Sequence, residues 1–147
     1  MRATRLASLS LMGTLAVAAA CGPARATNEP NESGVSRQGG AFILEGAALQ
    51  DGAGSVLAAM AGKVPNFRMQ RNSGRCPIIT LRNHVSFQGV VSPHVYVDGT
   101  RATDTCILQS LRTLDVERVE VYAQGFTTRP GYGTHAHGLI LVFMRSG

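Results

Sequence analysis

Leu114-Asp115-Val116-Glu117-Arg118-Val119-Glu120-Val121-Tyr122 is the stretch that decides the fold of this chain. After a turn at Asp115, Val119 and Val121 alternate with Arg118, Glu120 and Tyr122, the period of two that turns one strand face to a core and the other to water. Upstream, His94-Val95-Tyr96-Val97 is a second β-type run that meets an Asp98-Gly99 turn. Between them, Thr103 or Asp104 can cap a helix whose Ile107, Leu108, Leu111 and Leu114 share one face. Downstream, Gly125 to Gly138 reads as a loop, and Leu139-Ile140-Leu141-Val142-Phe143 as a nearly continuous apolar strand suited to a sheet centre.

Toward the N-terminus the same alternation of element types continues. Phe42-Ile43-Leu44 opens the folded part. Ser55 to Ala61 reads as a helix capped by Ser55, with Val56, Leu57, Met60 and Ala61 on one side and Gly62 and Pro65 as stops. Phe67-Arg68-Met69-Gln70 alternates as a strand, Asn72-Ser73-Gly74 supplies a turn, and Pro77 to Leu81 is another β-rich run. Strands interleaved with short helices give a compact α+β domain.

The beginning of the chain reads as an export signal. Arg2 and Arg5 form a basic head, and Leu6 to Ala20 is apolar but too short for a mature membrane span. Ala18 to Ala20 before Cys21 fit a bacterial lipobox, in which Cys21 becomes the lipidated first residue; an ordinary signal peptidase site with Cys21 incidental is the alternative. Residues 1–20 are then signal peptide, 21–41 a flexible polar tether poor in apolar residues, and 42–147 one folded domain. The expected location is the bacterial cell envelope, on a lipid anchor, at the outer membrane facing the periplasm.

The formal charge of +5 falls by two, to +3, once Arg2 and Arg5 leave. The remaining arginines are scattered along the sequence, and with no Trp and few aromatics there is little to stack on bases, so a nucleic-acid partner is not expected. If lipid consumes Cys21, Cys76 and Cys106 remain as an even pair in an oxidising compartment and are expected to be disulfide-bonded. Neither cysteine has a neighbouring base or a local reason for a lowered pKa, so a thiol enzyme is not expected.

The order of these pieces resembles the plug domain of TonB-dependent outer-membrane receptors. The pattern is carried by Val97-Asp98-Gly99, by Leu114-Asp115-Val116-Glu117-Arg118-Val119-Glu120-Val121, by Tyr132-Gly133 and by Gly138-Leu139-Ile140-Leu141-Val142. Earlier, Gly62-Lys63-Val64-Pro65-Asn66 and Leu81-Arg82-Asn83 stand where the family has glycine-ended motifs, with Asn in place of Gly. Asn is the residue that best tolerates a left-handed backbone after Gly. The resemblance spans roughly Leu49 to Gly147 and implies a small mixed β-sheet with short helices. None of its motifs is catalytic, and no cofactor is implied. In the family this domain sits inside a large β-barrel, so a chain without barrel strands is not expected to transport by itself.

Other polar groups have plainer readings. His135 and His137 alternate as strand residues do and could offer two imidazoles, but without a third ligand no metal is assigned. Glu117 and Glu120 are oddly spaced and fall on opposite strand faces, which rules out an acid/base pair. Asp98-Gly99 is a turn, and Arg101, Asp104 and Arg118 are surface ion partners. Gly131-Tyr132-Gly133 lacks the Lys and helix of a phosphate loop. The expectation is a non-enzymatic lipoprotein that acts by protein binding, with an outer-membrane β-barrel transporter or another envelope protein as partner. Its candidate binding loop carries Gly125, Arg129, Tyr132, His135 and His137. The alternative is an envelope protein that holds a small ligand or a metal chelate on the same loop.

Overall fold

A computed structural model describes residues 34–51, 54–71, 73–82 and 91–146. In chain order the elements are β1 (Val35–Gln38), β2 (Ala41–Glu45), α1 (Ala47–Gln50), α2 (Val56–Lys63), β3 (Arg68–Gln70), β4 (Ile78–Thr80), β5 (His94–Val97), β6 (Thr100–Arg101), α3 (Ile107–Ser110), a 3-10 turn (Thr113–Asp115), β7 (Val116–Tyr122) and β8 (Leu139–Met144). The expected signal segment, Cys21 and Asn83 lie outside the described residues.

Six strands form one sheet in the order β1-β2-β7-β8-β5-β6, while β3 and β4 make a separate hairpin. The pair β5–β8 is parallel and the others are antiparallel, so the α+β domain has the mixed sheet that the resemblance implies. The apolar run of β8 lies between β7 and β5, where both of its edges are paired and both faces are covered.

Register sorts the side chains onto two faces. Leu44 opposes Val119, Val119 opposes Val142, and Val121 opposes Ile140, which in turn opposes Val95. With Leu49, Val56, Met60 and Leu108 from the helices they make the main core. Ser55 caps α2 as its position suggests, accepting a bond from the Ala58 amide at 3.3 Å. The helix runs through Gly62 to Lys63 and stops where Val64 turns extended ahead of Pro65, so proline sterics end it and Gly62 does not. Asn66 takes a φ of 60°, the left-handed conformation for which Asn substitutes for Gly.

Three expectations are corrected. Residues 35–38, assigned to the tether, are a strand that pairs along β2 through a Gly39-Gly40 turn, and Ala41 is buried, so the folded part starts before Phe42. The helix expected after Thr103 or Asp104 is a single turn, α3. Leu111 turns extended so that its carbonyl accepts the first amide of α2, from Val56 at 3.0 Å, which leaves Leu114 65% exposed instead of on the helix face. The Arg118, Glu120 and Tyr122 face of β7 is not wet: Glu120 and Tyr122 are buried beneath the 125–138 segment, and Tyr122 joins a second apolar cluster with Ala41, Ile43, Tyr96, Leu139 and Leu141.

Cys76 and Cys106 are disulfide-bonded, with Cα atoms 4.8 Å apart. The bond ties the β3–β4 connection, two residues before Ile78, to the start of α3. Beside it the Thr105 hydroxyl donates to the Pro77 carbonyl, and Asp104 Oδ1 accepts from the Cys106 amide at 2.9 Å. Asp98 does more than turn the chain. Its φ of 45° and that of Gly99, 82°, make the β5–β6 turn, and its carboxylate accepts from the Met144 amide at 2.9 Å at the far end of β8. No helix among the described residues is long and apolar enough to cross a membrane.

Candidate functional site: a loop across the second sheet face

The sheet face that carries His94, Tyr96, Glu120 and Tyr122 would be open to water if the chain ran directly from β7 to β8. Residues 125–138 close it. The loop has no regular structure, and its ends are locked together: the Gly125 amide donates to Tyr122 O at 3.0 Å, the His135 amide to Gly125 O at 2.8 Å, and the Gly138 amide to His135 O at 2.9 Å. Ends this close with a packed body are the signature of an Ω-type loop. Gly125 is required here, since its φ is 77° and a Cβ would lie 1.8 Å from the His135 carbonyl oxygen.

Arg129 pins the middle of the loop. Its Nη2 reaches Glu120 Oε1 at 2.6 Å and its Nε reaches Oε2 at 2.7 Å, a two-pronged bond to a carboxylate that is 1% exposed. Tyr122 donates to the same Oε2 at 2.9 Å. Arg118 Nε lies 3.1 Å from Oε1 but off the hydrogen-bonding direction, so it adds charge without a bond. Glu120 raises the proton affinity of Arg129, and burial raises the pKa of Tyr122, which stays a neutral donor. Both Arg118 and Arg129 lie over the Phe143 ring, about 5 Å from its centroid.

Tyr132 packs edge-on to Tyr96 with centroids 5.1 Å apart. Farther along, His135 stacks on His94 at 3.5 Å with 19° between the rings, and His137 lies 5.4 Å from His135. Arg101 Nη2 is 2.7 Å from His94 Nε2, which must therefore be the acceptor nitrogen. His135 Nδ1 faces the Gly138 carbonyl at 3.3 Å, so Nδ1 carries the hydrogen and Nε2 keeps a lone pair. Burial lowers the pKa of both rings, and neighbouring charge adds to it: His135 and Arg101 act on His94, His137 and Arg101 on His135. His94, Arg101 and His135, with Asp104 and Cys76, line an open cleft of about 390 Å³.

The candidate residues therefore divide by role. Gly125 and Arg129 hold the loop, Tyr132 and His135 pack it onto the sheet, and His137 is half-buried beside them. What the loop turns outward is Phe126, 60% exposed, with Thr128, Pro130, Thr134 and Ala136. His94, Arg101 and Glu120 belong to the assembly as well. They reach it from β5, β6 and β7, and only the parallel pairing of β5 with β8 brings His94 under His135. Among the described residues, the His, Cys, Asp and Glu trio with converging ligand atoms is Cys76, Asp104 and Cys106, and its two sulfurs are bonded to each other. The imidazole group offers a lone pair at His135 Nε2 but no closed ligand set.

No protein-family model matches the chain, and no curated protein is significantly similar to it. A fold likeness does exist to a solved structure of the RagAB peptide importer in the "closed-closed" state, with a TM-score of 0.56 and 16% sequence identity over 73% of this chain. The match takes up 12% of the importer chain, so this chain corresponds to a small part of it. Identity this low shows a shared fold and nothing about partners.

Proposed function

We propose that this chain is a plug-like, non-enzymatic domain of the bacterial cell envelope that works by docking on another envelope protein, an outer-membrane β-barrel transporter. The observation that carries the reading is the 125–138 loop: it is fastened to the sheet by the Arg129–Glu120 pair and presents Phe126 outward on that rigid support. An aromatic side chain held on a fixed loop binds at little ordering cost, which suits an interface anchor. Support also comes from the motif order that resembles the plug family and from the fold likeness to part of a peptide importer. Lipidation at Cys21 would hold the domain beside the outer membrane, facing the periplasm.

The test places a photo-cross-linker at position 128, next to Phe126, in intact cells and identifies the captured proteins by mass spectrometry. Capture of an outer-membrane barrel, reduced severalfold by Phe126→Ala, supports docking. Recovery of the domain alone at every loop position tried would count against it.

The second reading, a carrier of a small ligand or metal chelate, draws on the free lone pair of His135 with His137 and His94 beside it. Calorimetry with zinc, copper and iron chelates distinguishes it: heat that disappears in His135→Ala supports a carrier, and silence with all three removes it.

A further inference from the structure

The β3–β4 hairpin carries the most one-sided charge in the fold. Between Asp51 and Asp98 the sequence has no Asp or Glu, yet Lys63, Arg68, Arg71, Arg75 and Arg82 all fall there. Lys63 is neutralised by Asp51 at 2.8 Å, and Arg82 is engaged by the Ala123 carbonyl and the Gln124 side chain. Arg68, Arg71 and Arg75 are exposed, and among the described residues none of them enters an ion pair or a side-chain hydrogen bond.

Register explains the arrangement. Met69 opposes Ile79, whose side chain is fully buried, so Arg68 and Gln70 fall on the opposite, outer face with Thr80 and Ile78 across from them. Arg71 and Arg75 stand in the turn that joins the strands, where Gly74 has a φ of 74°. Arg68 lies three residues from Arg71, at most about 10 Å of extended chain, so these two charges act within about one screening length, and Arg75 follows in the same turn. Cys76, the chain neighbour of Arg75 in that turn, is bonded to Cys106 at the start of α3, which fastens the turn itself to the helix.

We propose that the β3–β4 hairpin is a docking surface for an anionic lipid bilayer, with the guanidinium groups of Arg68, Arg71 and Arg75 seated on lipid phosphates. Guanidinium binds phosphate oxygens in two-pronged fashion, and a set of exposed arginines complements a continuous sheet of such groups. A discrete small anion would need a concavity, and neither the cleft beside His94 nor the cleft beside Arg37 and Arg82 is lined by any of the three. Each cationic side chain close to an anionic surface strengthens binding by roughly fivefold, so three together contribute on the order of a hundredfold.

The experiment uses the chain from Gly22 onward, which contains every described element and lacks the cysteine expected to carry lipid. It is sedimented with vesicles of phosphatidylcholine alone and of phosphatidylcholine mixed with phosphatidylglycerol. Binding to the mixed vesicles, weakening at least tenfold as salt is raised from about 0.05 to 0.5 M, is expected. The triple variant Arg68→Gln, Arg71→Gln, Arg75→Gln should lose about a hundredfold. Arg37→Gln, Arg112→Gln, Arg145→Gln removes as much charge elsewhere and should lose far less. Equal binding to both vesicle types, equal losses in the two triple variants, or retention of the arginine-dependent interaction only by an acidic protein in place of vesicles would overturn the proposal. The three hairpin side chains are exposed and, among the described residues, unpaired, and unchanged circular dichroism of the variant separates lost binding from lost folding.

Discussion

Arg129 reaches back across nine positions to place Nη2 and Nε at 2.6 and 2.7 Å from the two oxygens of Glu120, a carboxylate sealed under the loop that Arg129 itself belongs to. The carboxylate and its cover are thus mutually dependent. Arg129→Ala leaves Glu120 buried with Tyr122 as its one hydrogen-bond donor and Arg118 as an imperfect counter-charge. A fully enclosed pair broken on one side costs about 3 to 5 kcal/mol. Arg129 is 39% exposed and Arg118 remains, so a loss of about 2 to 3 kcal/mol is expected from urea denaturation. Hydrogen exchange should accelerate across 125–138 before it does in β7 and β8. Exchange that rises evenly over the whole domain would mean the pair does not fasten the loop.

The loop closure makes a sharp distinction between two glycines. At Gly125 an added methyl group meets the His135 carbonyl at 1.8 Å and the backbone is left-handed, whereas at Gly131 the φ is 89° but the space is open. Gly125→Ala should therefore cost at least about 3 kcal/mol and open the loop, and Gly131→Ala about 1 kcal/mol from backbone strain alone. Thermal melts of the two variants check this. Equal costs would show that the approach of Gly125 to His135 is not maintained in solution.

Much of the domain could be read from local pattern, because β8, the helix capped by Ser55 and the Asp98-Gly99 turn are set by nearby residues. The alternation in β7 was legible too, yet it misled about water. Glu120 looked like a solvent-facing position because nothing near it in sequence announces that Arg129 will fold over it. The same blindness hid His94, which becomes a neighbour of His135 only through β5–β8 pairing. Arg37 and its neighbours were hidden by composition: a polar strand at a sheet edge resembles a tether when its partner strand is ignored. The basic hairpin was invisible for a different reason. Its arginines are spaced along the chain and look scattered until the turn and register gather them.

The Cys76–Cys106 bond closes a separation of 30 residues. On the chain-entropy model such a loop contributes about 3.5 kcal/mol by restricting the unfolded ensemble. The double variant Cys76→Ser, Cys106→Ser should lower stability by about that amount, with the hairpin becoming the first region to exchange. If the loss were confined to well under about 1 kcal/mol, the unfolded chain would already be compact between these positions.

Acidification should weaken the domain through the stacked histidines. In the folded chain His94 and His135 have pKa values below the ordinary 6.5, chiefly through burial, with His135 and Arg101 adding to it at His94, and His137 and Arg101 at His135 against the opposing bond to the Gly138 carbonyl. The unfolded chain therefore takes up protons first as pH falls past about 6.5, and the folded state loses stability until its own rings protonate. Protonating His94 Nε2 also turns the acceptor of Arg101 into a second donor 2.7 Å away, and charging both rings sets like charges at a 3.5 Å stack. His137 and Arg101 add positive charge on the same side, while Asp104, in the same cleft, is occupied at the Cys106 amide. Urea midpoints measured between about pH 8 and 5 should fall across this window, with the loop exchanging faster at the acid end. His94→Gln keeps an acceptor for Arg101 without a titrating ring, so combined with His135→Gln it should flatten that decline. A slope unchanged in the double variant would assign the acid sensitivity to other groups and leave the stack without a role in it.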